Sequence, residues 1–248
     1  MFAFHGYSND SHVFDVLQPA LQNDYTFIAI DLPIHGSTRW RDGLFTAGKL
    51  NKIISLITEK EKLPQTYTLL GFSLGGRIAM SFFQQFPQHV SSMILLAPDG
   101  LYKGRWYRFI AQSFTGTRIT AFFLKRPETA MHILNRFKKH RIINVHVYLY
   151  AKGLLNSKRE RMLLYARWTF MRKMHPGLKK ICKAINAYKV PVKLVFGKGD
   201  TITPEHNADY LLANAAPFVE FQEWEAGHLL LREKYYSRLA ALFTLHTG

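Results

Sequence analysis

The feature that most constrains the fold is a serine between small residues, where an apolar run meets a segment of helical periodicity. The run Leu69–Leu70 leads into "GFSLGG", with Ser73 at its centre, and apolar residues at helical spacing follow to position 86. Glycine permits the close backbone approach that a sharp strand-to-helix turn needs. The pattern predicts that Ser73 lies at the strand's carboxyl end, near the positive start of a helix. A glycine-rich turn with a capping serine is the plainer alternative.

Strand-like and helix-like segments alternate on both sides of this turn. Such alternation is typical of βαβ units and predicts an α/β fold with a mostly parallel sheet flanked by helices. Strands are predicted at 2–4, 27–30, 66–70, 90–97, 191–197 and 218–224, and helices at 13–21, 44–57, 74–86, 204–212 and 234–245.

The alternation stops in the middle third of the chain. From Asp99 to Lys189 there are 21 Lys and Arg against three acidic residues, whereas the rest of the chain has 12 against 14. The periodicity there is helical. We therefore interpret residues 99–190 as a basic helical insertion between two parts of one core, 1–98 and 191–248. Charge segregated in this way predicts an electropositive face.

A serine nucleophile needs a base, and the base needs an acid that orients it. Asp200 follows the predicted strand that ends at Gly197, and His228 follows the one that ends at Trp224. The carboxyl ends of parallel strands share one sheet edge, so both side chains are expected near Ser73. Asp99 also follows a strand and is the alternative acid.

Acyl attack creates an oxyanion, which backbone N–H groups stabilise. We predict that these donors are Leu74, directly after the serine, and Tyr7, in the loop after the first strand. Phe72, Arg77 and Trp168 are predicted substrate contacts. Arg77 has two possible roles: it turns toward the pocket and binds an anionic substrate, or it pairs with a protein carboxylate.

The motifs "FHGYS", "DLPIHGST", "GFSLGGRIAM", "FGKGD" and "AGH" occur in this order, and together they resemble those of the α/β-hydrolase superfamily. The resemblance covers the chain outside the insertion and implies that the insertion is a helical cap. In that family two strands precede the one that contains "FAFHG", and this sequence begins inside the third. Either the protein starts upstream of Met1, or the first two strands of the family are absent and the sheet lacks one edge. Ile34 stands where the family usually has glycine.

Within the superfamily, Ser73 rather than an aspartate argues against epoxide hydrolases and haloalkane dehalogenases. The sequence resembles both the biotin-pathway carboxylesterases and the menaquinone-pathway SHCHC synthases. The first resemblance implies a serine hydrolase that cleaves an ester or thioester of an apolar acyl group. The second implies a lyase that uses the same triad on an anionic substrate. A hydrolase-fold binding protein without activity is a third possibility.

No metal or organic cofactor is expected for this chemistry. In the insertion, aromatic residues such as Trp106, Tyr107 and Phe109 are interleaved with basic ones. Either they pack against the core while the cations face solvent, or the charge meets an acidic carrier protein or an anionic membrane surface. Nucleic acid is not expected, because no recognition motif accompanies the charge.

The cellular compartment is predicted from the cysteine content, the N-terminal segment and the lengths of the apolar runs. Cys182 is the only cysteine, so no internal disulfide forms. The N-terminal "MFAFHGYSND" lacks the pattern of a signal peptide, and no apolar run is long enough to cross a membrane. We expect a soluble, cytoplasmic protein.

Overall fold

The computed structural model describes residues 1–21, 25–101, 113–143 and 145–243. The predicted aromatic positions Trp106, Tyr107 and Phe109 lie outside these ranges.

The strands form one parallel six-stranded sheet and are, in chain order, β1 (Phe2–Phe4), β2 (Ile28–Ile30), β3 (Tyr67–Phe72), β4 (Val90–Leu96), β5 (Val192–Gly197) and β6 (Val219–Trp224). Their order across the sheet is β2-β1-β3-β4-β5-β6. Every predicted strand is present within a few residues. Strands β3, β4 and β5 are mostly buried and leave apolar runs in the sequence, whereas β6 is largely exposed and shows only partial alternation. The α/β fold class is confirmed.

Helices are interspersed with these strands, and short 3₁₀ helices occur at Ser11–Leu17, Pro87–His89, Glu205–Ala208, Ala216–Phe218 and Glu233–Tyr235. The α-helices within the described ranges are α1 (Gln18–Leu21), α2 (Ala47–Lys60), α3 (Leu74–Phe83), α4 (Phe114–Lys125), α5 (Pro127–Lys139), α6 (Val145–Asn156), α7 (Lys158–Met171), α8 (Leu178–Tyr188), α9 (Asp209–Ala215) and α10 (Tyr236–Ala241).

Several helix ends differ from the prediction for local reasons. The helix predicted from position 44 begins at Ala47, because the Thr46 side chain accepts a hydrogen bond from the Lys49 N–H (3.3 Å) and caps it. The helix predicted to reach position 86 ends at Phe83. Phe86 is no longer helical (φ −133°, ψ 53°), because Pro87 follows it and a residue before a proline avoids the α-helical conformation.

The chain divides into two compact units. The sheet unit comprises residues 1–39, 46–103 and 174–248, and the helical unit comprises 40–45 and 104–173. These limits differ from the predicted insertion at 99–190, because α8 belongs to the sheet unit and buries Ile181 and Ile185 there. That the insertion serves as a cap stays a prediction.

In the helical unit, α4 packs beside α5 and α7, and α6 completes the group. The short segment 40–45 folds with these helices. Its Phe45 N–H donates to the Phe170 carbonyl at 2.8 Å, and the ring of Trp40 packs edge-on against that of Phe45.

Candidate active site

Ser73 occupies a strained backbone conformation at the turn from β3 to α3. Its φ is +51° and its ψ is −114°, a backbone conformation that residues other than glycine seldom adopt. Three hydrogen bonds hold it there. The Ser73 N–H donates to the Leu96 carbonyl, and the Ser73 carbonyl accepts from the N–H groups of Gly76 and Asp99, each at 2.9 Å. The turn is therefore held by α3 and by the end of β4 with the residues after it.

The glycines around Ser73 are required by close backbone contacts. A Cβ at Gly75 would overlap the carbonyl of Phe4 in β1, and one at Gly71 would overlap the backbone of Gly76. A Cβ at Gly76 would come within 2.5 Å of the Pro98 side chain. The small residues in "GFSLGG" thus let β1, β3 and α3 approach without side chains between them.

The structure brings Ser73, His228 and Asp200 together at the carboxyl edge of the sheet. His228 Nε2 lies 3.0 Å from Ser73 Oγ, and His228 Nδ1 lies 2.7 Å from Asp200 Oδ2. Each residue follows the end of a strand, β3, β6 and β5 respectively. Such a hydroxyl–imidazole–carboxylate chain is able to pass the serine proton to the imidazole.

Asp200 is buried but remains a carboxylate. Its side chain has no exposed surface, and its Oδ1 accepts the N–H groups of Ile202 (2.8 Å) and Thr203 (2.9 Å). Burial by itself raises the pKa of Asp200, but hydrogen bonds from His228 and Thr203 outweigh it and hold that pKa below its usual value. An ionised carboxylate only accepts hydrogen bonds, so His228 Nδ1 donates to it. In the neutral imidazole, Nε2 then faces Ser73 as an acceptor.

Thr203 is a site residue that the sequence reasoning missed. Its hydroxyl lies 2.7 Å from Asp200 Oδ2, 3.1 Å from the Ala97 carbonyl and 3.2 Å from His228 Nδ1. Its position three residues after an aspartate, in a turn, is a sequence signal for the Asp200–Thr203 bond. The contact with the Ala97 carbonyl joins the turn after β5 to the end of β4, and no sequence pattern indicates it.

Asp99, the alternative acid, has a different partner. Arg77 Nη1 lies 3.3 Å from Asp99 Oδ2, and the side chains are 10% and 23% exposed. Of the two roles considered for Arg77, the structure has the pairing with a protein carboxylate. The arginine is nevertheless buried rather than at the surface.

The predicted oxyanion donors lie in the expected segments. Leu74 is the first residue of α3, where backbone N–H groups have no acceptor within the helix. Tyr7 lies in the loop after β1, and its carbonyl is 2.6 Å from His35 Nε2. His35 Nδ1 is 2.9 Å from the Pro33 carbonyl, so this buried ring joins the loop after β1 to the loop after β2.

A second buried histidine strengthens the same junction. His5 Nε2 accepts the Leu32 N–H at 3.0 Å, so Nδ1 carries the proton and donates to the Gly6 carbonyl at 2.7 Å. The rings of His5 and His35 pack edge-to-face, with centroids 5.0 Å apart. These imidazoles hold the Tyr7 loop in place. His35 was not singled out from the sequence, although it lies in the motif "DLPIHGST".

The other predicted substrate contacts are placed as follows. Phe72 is buried, and its ring centroid lies 5.5 Å from that of His228. Trp168 lies on α7 in the helical unit and is partly buried. That these residues contact substrate stays a prediction.

The described ranges contain neither a metal-ligand cluster nor a membrane-spanning helix. Within them, no three His, Cys, Asp or Glu side chains are grouped as a metal ion would require. None of the helices in these ranges combines the length and hydropathy needed to cross a bilayer.

Comparison with known proteins adds to this geometry. A sequence profile described as "alpha/beta hydrolase fold" matches residues 1–235. A pimeloyl-[acyl-carrier protein] methyl ester esterase from Nitrosomonas europaea is 25% identical over 246 residues, covering 88% of this chain and 89% of that protein. An esterase structure from Thermogutta terrifontis superimposes with a TM-score of 0.66 at 17% identity, over 97% of this chain and 86% of the other. The structure of MenH from S. aureus superimposes with a TM-score of 0.63 at 17% identity, over 97% of this chain and 90% of the other.

Proposed function

Because the chain belongs to the alpha/beta hydrolase fold family and is a hydrolase of esterase type, we propose that it is a serine esterase with the triad Ser73–His228–Asp200. It cleaves an ester or thioester of an apolar acyl group through an acyl-enzyme. The observation that carries the proposal is the continuous hydrogen-bonded chain, 3.0 Å from Ser73 Oγ to His228 Nε2 and 2.7 Å from Nδ1 to Asp200.

Acylation follows from this arrangement. Ser73 Oγ attacks the ester carbonyl as its proton passes to His228 Nε2, and Asp200 stabilises the imidazolium that forms. The N–H groups of Leu74 and Tyr7 donate to the oxyanion. When the tetrahedral intermediate collapses, the C–O or C–S bond breaks, and the leaving group takes the proton from Nε2.

Deacylation repeats these steps with water as nucleophile. His228 Nε2 takes a proton from the water, which attacks the acyl carbonyl. The intermediate expels Ser73 Oγ, and Nε2 returns the proton to it. The carboxylic acid leaves, and the site is restored with no change in oxidation state.

The Arg77–Asp99 pair supports an esterase rather than a lyase acting on an anionic substrate. A substrate carboxylate at Arg77 would have to compete with Asp99, which lies 3.3 Å from the guanidinium. The likeness to MenH concerns the fold alone. A carrier-linked ester remains among the substrates to assay, because the Nitrosomonas relative is named for one.

The test is covalent labelling by a fluorophosphonate probe. Ser73→Ala should keep the circular dichroism spectrum and melting temperature, lose labelling, and lose nitrophenyl ester hydrolysis by at least about a thousandfold. Ser91→Ala, at an exposed serine of β4, is the matched control and should behave as the native protein.

A burst of nitrophenol equal to the enzyme concentration would indicate the acyl-enzyme. Undiminished labelling of Ser73→Ala would exclude Ser73 as the nucleophile. Turnover of an anionic lyase substrate with no ester turnover and no burst would replace the esterase with the lyase.

A further inference from the structure

A small cavity lies within the helical unit, between α4 and α7. Its volume is about 280 Å³, which is at the lower end for ligand sites. It therefore suits one polar group of a ligand whose remainder lies outside. The lining residues are Ala121, Leu124, Lys125, Lys158, Arg161, Met162 and Tyr165. We call this cavity and the exposed surfaces of the two helices beside it the α4–α7 groove.

Among the described residues that line the cavity, cations lie beside apolar side chains and none is acidic; Glu160, in the first turn of α7, is not part of this lining. Lys125 is the last residue of α4 and Lys158 is the first of α7. Arg161 lies one turn further along α7, where one of its N–H groups donates to the Leu155 carbonyl. Three cations around so small a space attract an anion such as a phosphate group.

Exposed apolar side chains lie on both helices of the groove. Ile119 and Phe122 on α4 are 45% and 46% exposed, and Met162 and Tyr165 on α7 are 63% and 40% exposed. The Arg126 guanidinium lies over the Phe122 ring at 4.2 Å. Side chains of this size at the surface, next to cations, are typical of segments that meet the boundary between lipid headgroups and acyl chains.

Exposed large hydrophobic side chains are enriched in the helical unit. Among the residues that the structure describes, eight of the thirteen large hydrophobic side chains with high exposure lie there, although the unit has fewer than a third of the residues. The unit also carries 17 Lys and Arg against three acidic residues. An ordinary solvated face would have the charge without the exposed apolar side chains.

We propose that the α4–α7 groove docks this protein on an anionic phospholipid membrane. The phosphate of one lipid lies between Lys125, Lys158 and Arg161, and Phe122 and Met162 enter the headgroup region. A bilayer surface satisfies both halves of the groove, since it offers anionic charge and apolar depth together. An acidic protein or a free phosphate matches the cations alone. The proposal goes beyond the esterase activity and does not depend on Ser73.

The experiment is co-sedimentation of the full chain with phosphatidylcholine vesicles that contain roughly one-third phosphatidylglycerol, and with pure phosphatidylcholine. Binding is expected to the anionic vesicles only. Lys125→Gln/Lys158→Gln should lower the partition coefficient about thirtyfold, because the variant loses the attraction of two lysines to the anionic surface. Lys139→Gln/Lys152→Gln removes the same charge from exposed positions outside the groove and should change it by less than about threefold.

A second pair of variants tests the apolar half. Met162→Gln should weaken vesicle binding about threefold to tenfold. Leu56→Gln changes a side chain of similar exposure (60%) on α2 in the sheet unit and should leave binding unchanged. Fluorophosphonate labelling of every variant reports the Ser73 site separately, so failure of one proposal is distinguishable from failure of the other.

Three results would overturn the docking proposal. The first is native protein that does not sediment with anionic vesicles. The second is equal loss in the two lysine pairs, which would indicate diffuse attraction by net charge. The third is an unchanged Met162→Gln together with displacement by millimolar glycerol phosphate or polyglutamate, which would indicate a soluble anion or an acidic protein as the occupant.

Discussion

At the scale of single residues, the Thr203 hydroxyl joins Asp200, the acid of the proposed triad, to the sheet. It contacts Asp200 Oδ2 and the Ala97 carbonyl, and both oxygens are acceptors. A hydroxyl has one proton to donate, and the shorter contact, 2.7 Å, is to the carboxylate. Thr203 is therefore a positioning residue that acts on His228 through Asp200.

We predict that Thr203→Val lowers kcat about tenfold, because it removes a hydrogen bond to a buried charge. It also removes a cause of the lowered pKa of Asp200, so that pKa rises. Asp200 then takes up a proton at higher pH, and the acid limb of the kcat/KM profile should move to higher pH.

Thr203→Ser keeps the hydroxyl and should restore both the rate and the acid limb. A role in packing alone would be indicated if valine left the acid limb in place while serine lowered the rate.

Ile34 is a second residue whose conformation matters. Its φ is +62°, and β-branched side chains are strained in this left-handed region. Ile34→Gly and Ile34→Ala both remove the isoleucine contacts, but only alanine keeps the Cβ clash. We predict that Ile34→Gly has a free energy of unfolding about 0.5–1 kcal/mol above that of Ile34→Ala in urea. The opposite order would mean that position 34 leaves this conformation in solution.

At the scale of elements, α3 is fastened to the segment after β4. Arg77 pairs with the Asp99 carboxylate, and the Asp99 N–H donates to the Ser73 carbonyl. The turn at Ser73, the first turn of α3 and the end of β4 are therefore held together. This explains why an arginine follows Ser73 by one helical turn.

We predict an energetic coupling of about 1–2 kcal/mol between Arg77 and Asp99, because removing either partner leaves a largely buried charge without its ion pair. Urea unfolding of Arg77→Gln, Asp99→Asn and the double variant measures it. Additive effects would contradict the coupling. A selective rise of KM for anionic esters in Arg77→Gln would instead indicate that the arginine binds substrate.

The elements also show which parts of the fold the sequence could predict. Buried strands such as β4, predicted at 90–97 and observed as Val90–Leu96, have apolar runs that end where the strand ends. The positions of Ser73, Asp200 and His228 follow from the same runs. The predicted closing helix at 234–245 instead starts as a 3₁₀ turn at Glu233–Tyr235, and α10 covers Tyr236–Ala241. A short amphipathic segment has no pattern that separates these conformations.

At the scale of the whole molecule, charge and chemistry lie in different units. The helical unit carries a net charge of +14 out of +16, while Ser73, Asp200 and His228 lie in the sheet unit. The contacts of Thr203, His35 and Asp99 join segments far apart in the chain. Periodicity and composition describe neighbours in sequence, so they do not reveal such contacts.

We predict that salt discriminates between substrates through this net charge. A positive field raises the encounter rate of anionic molecules and is screened within about 10 Å at 0.1 M salt. Between roughly 0.02 and 0.5 M salt, kcat/KM should fall several-fold for an anionic ester and stay constant for a neutral ester of equal chain length. Equal responses would show that the charge does not steer substrate.

The segment 40–45 has a consequence for modular exchange. It folds with the helical unit although about sixty residues separate it from 104–173, and its Phe45 N–H is bonded to the Phe170 carbonyl. A chimera that transplants 104–173 alone would leave that carbonyl without this donor and the Phe45 ring without its setting. Exchange of the helical unit between proteins therefore requires both segments, 40–45 and 104–173, and a chimera needs two pairs of junctions rather than one.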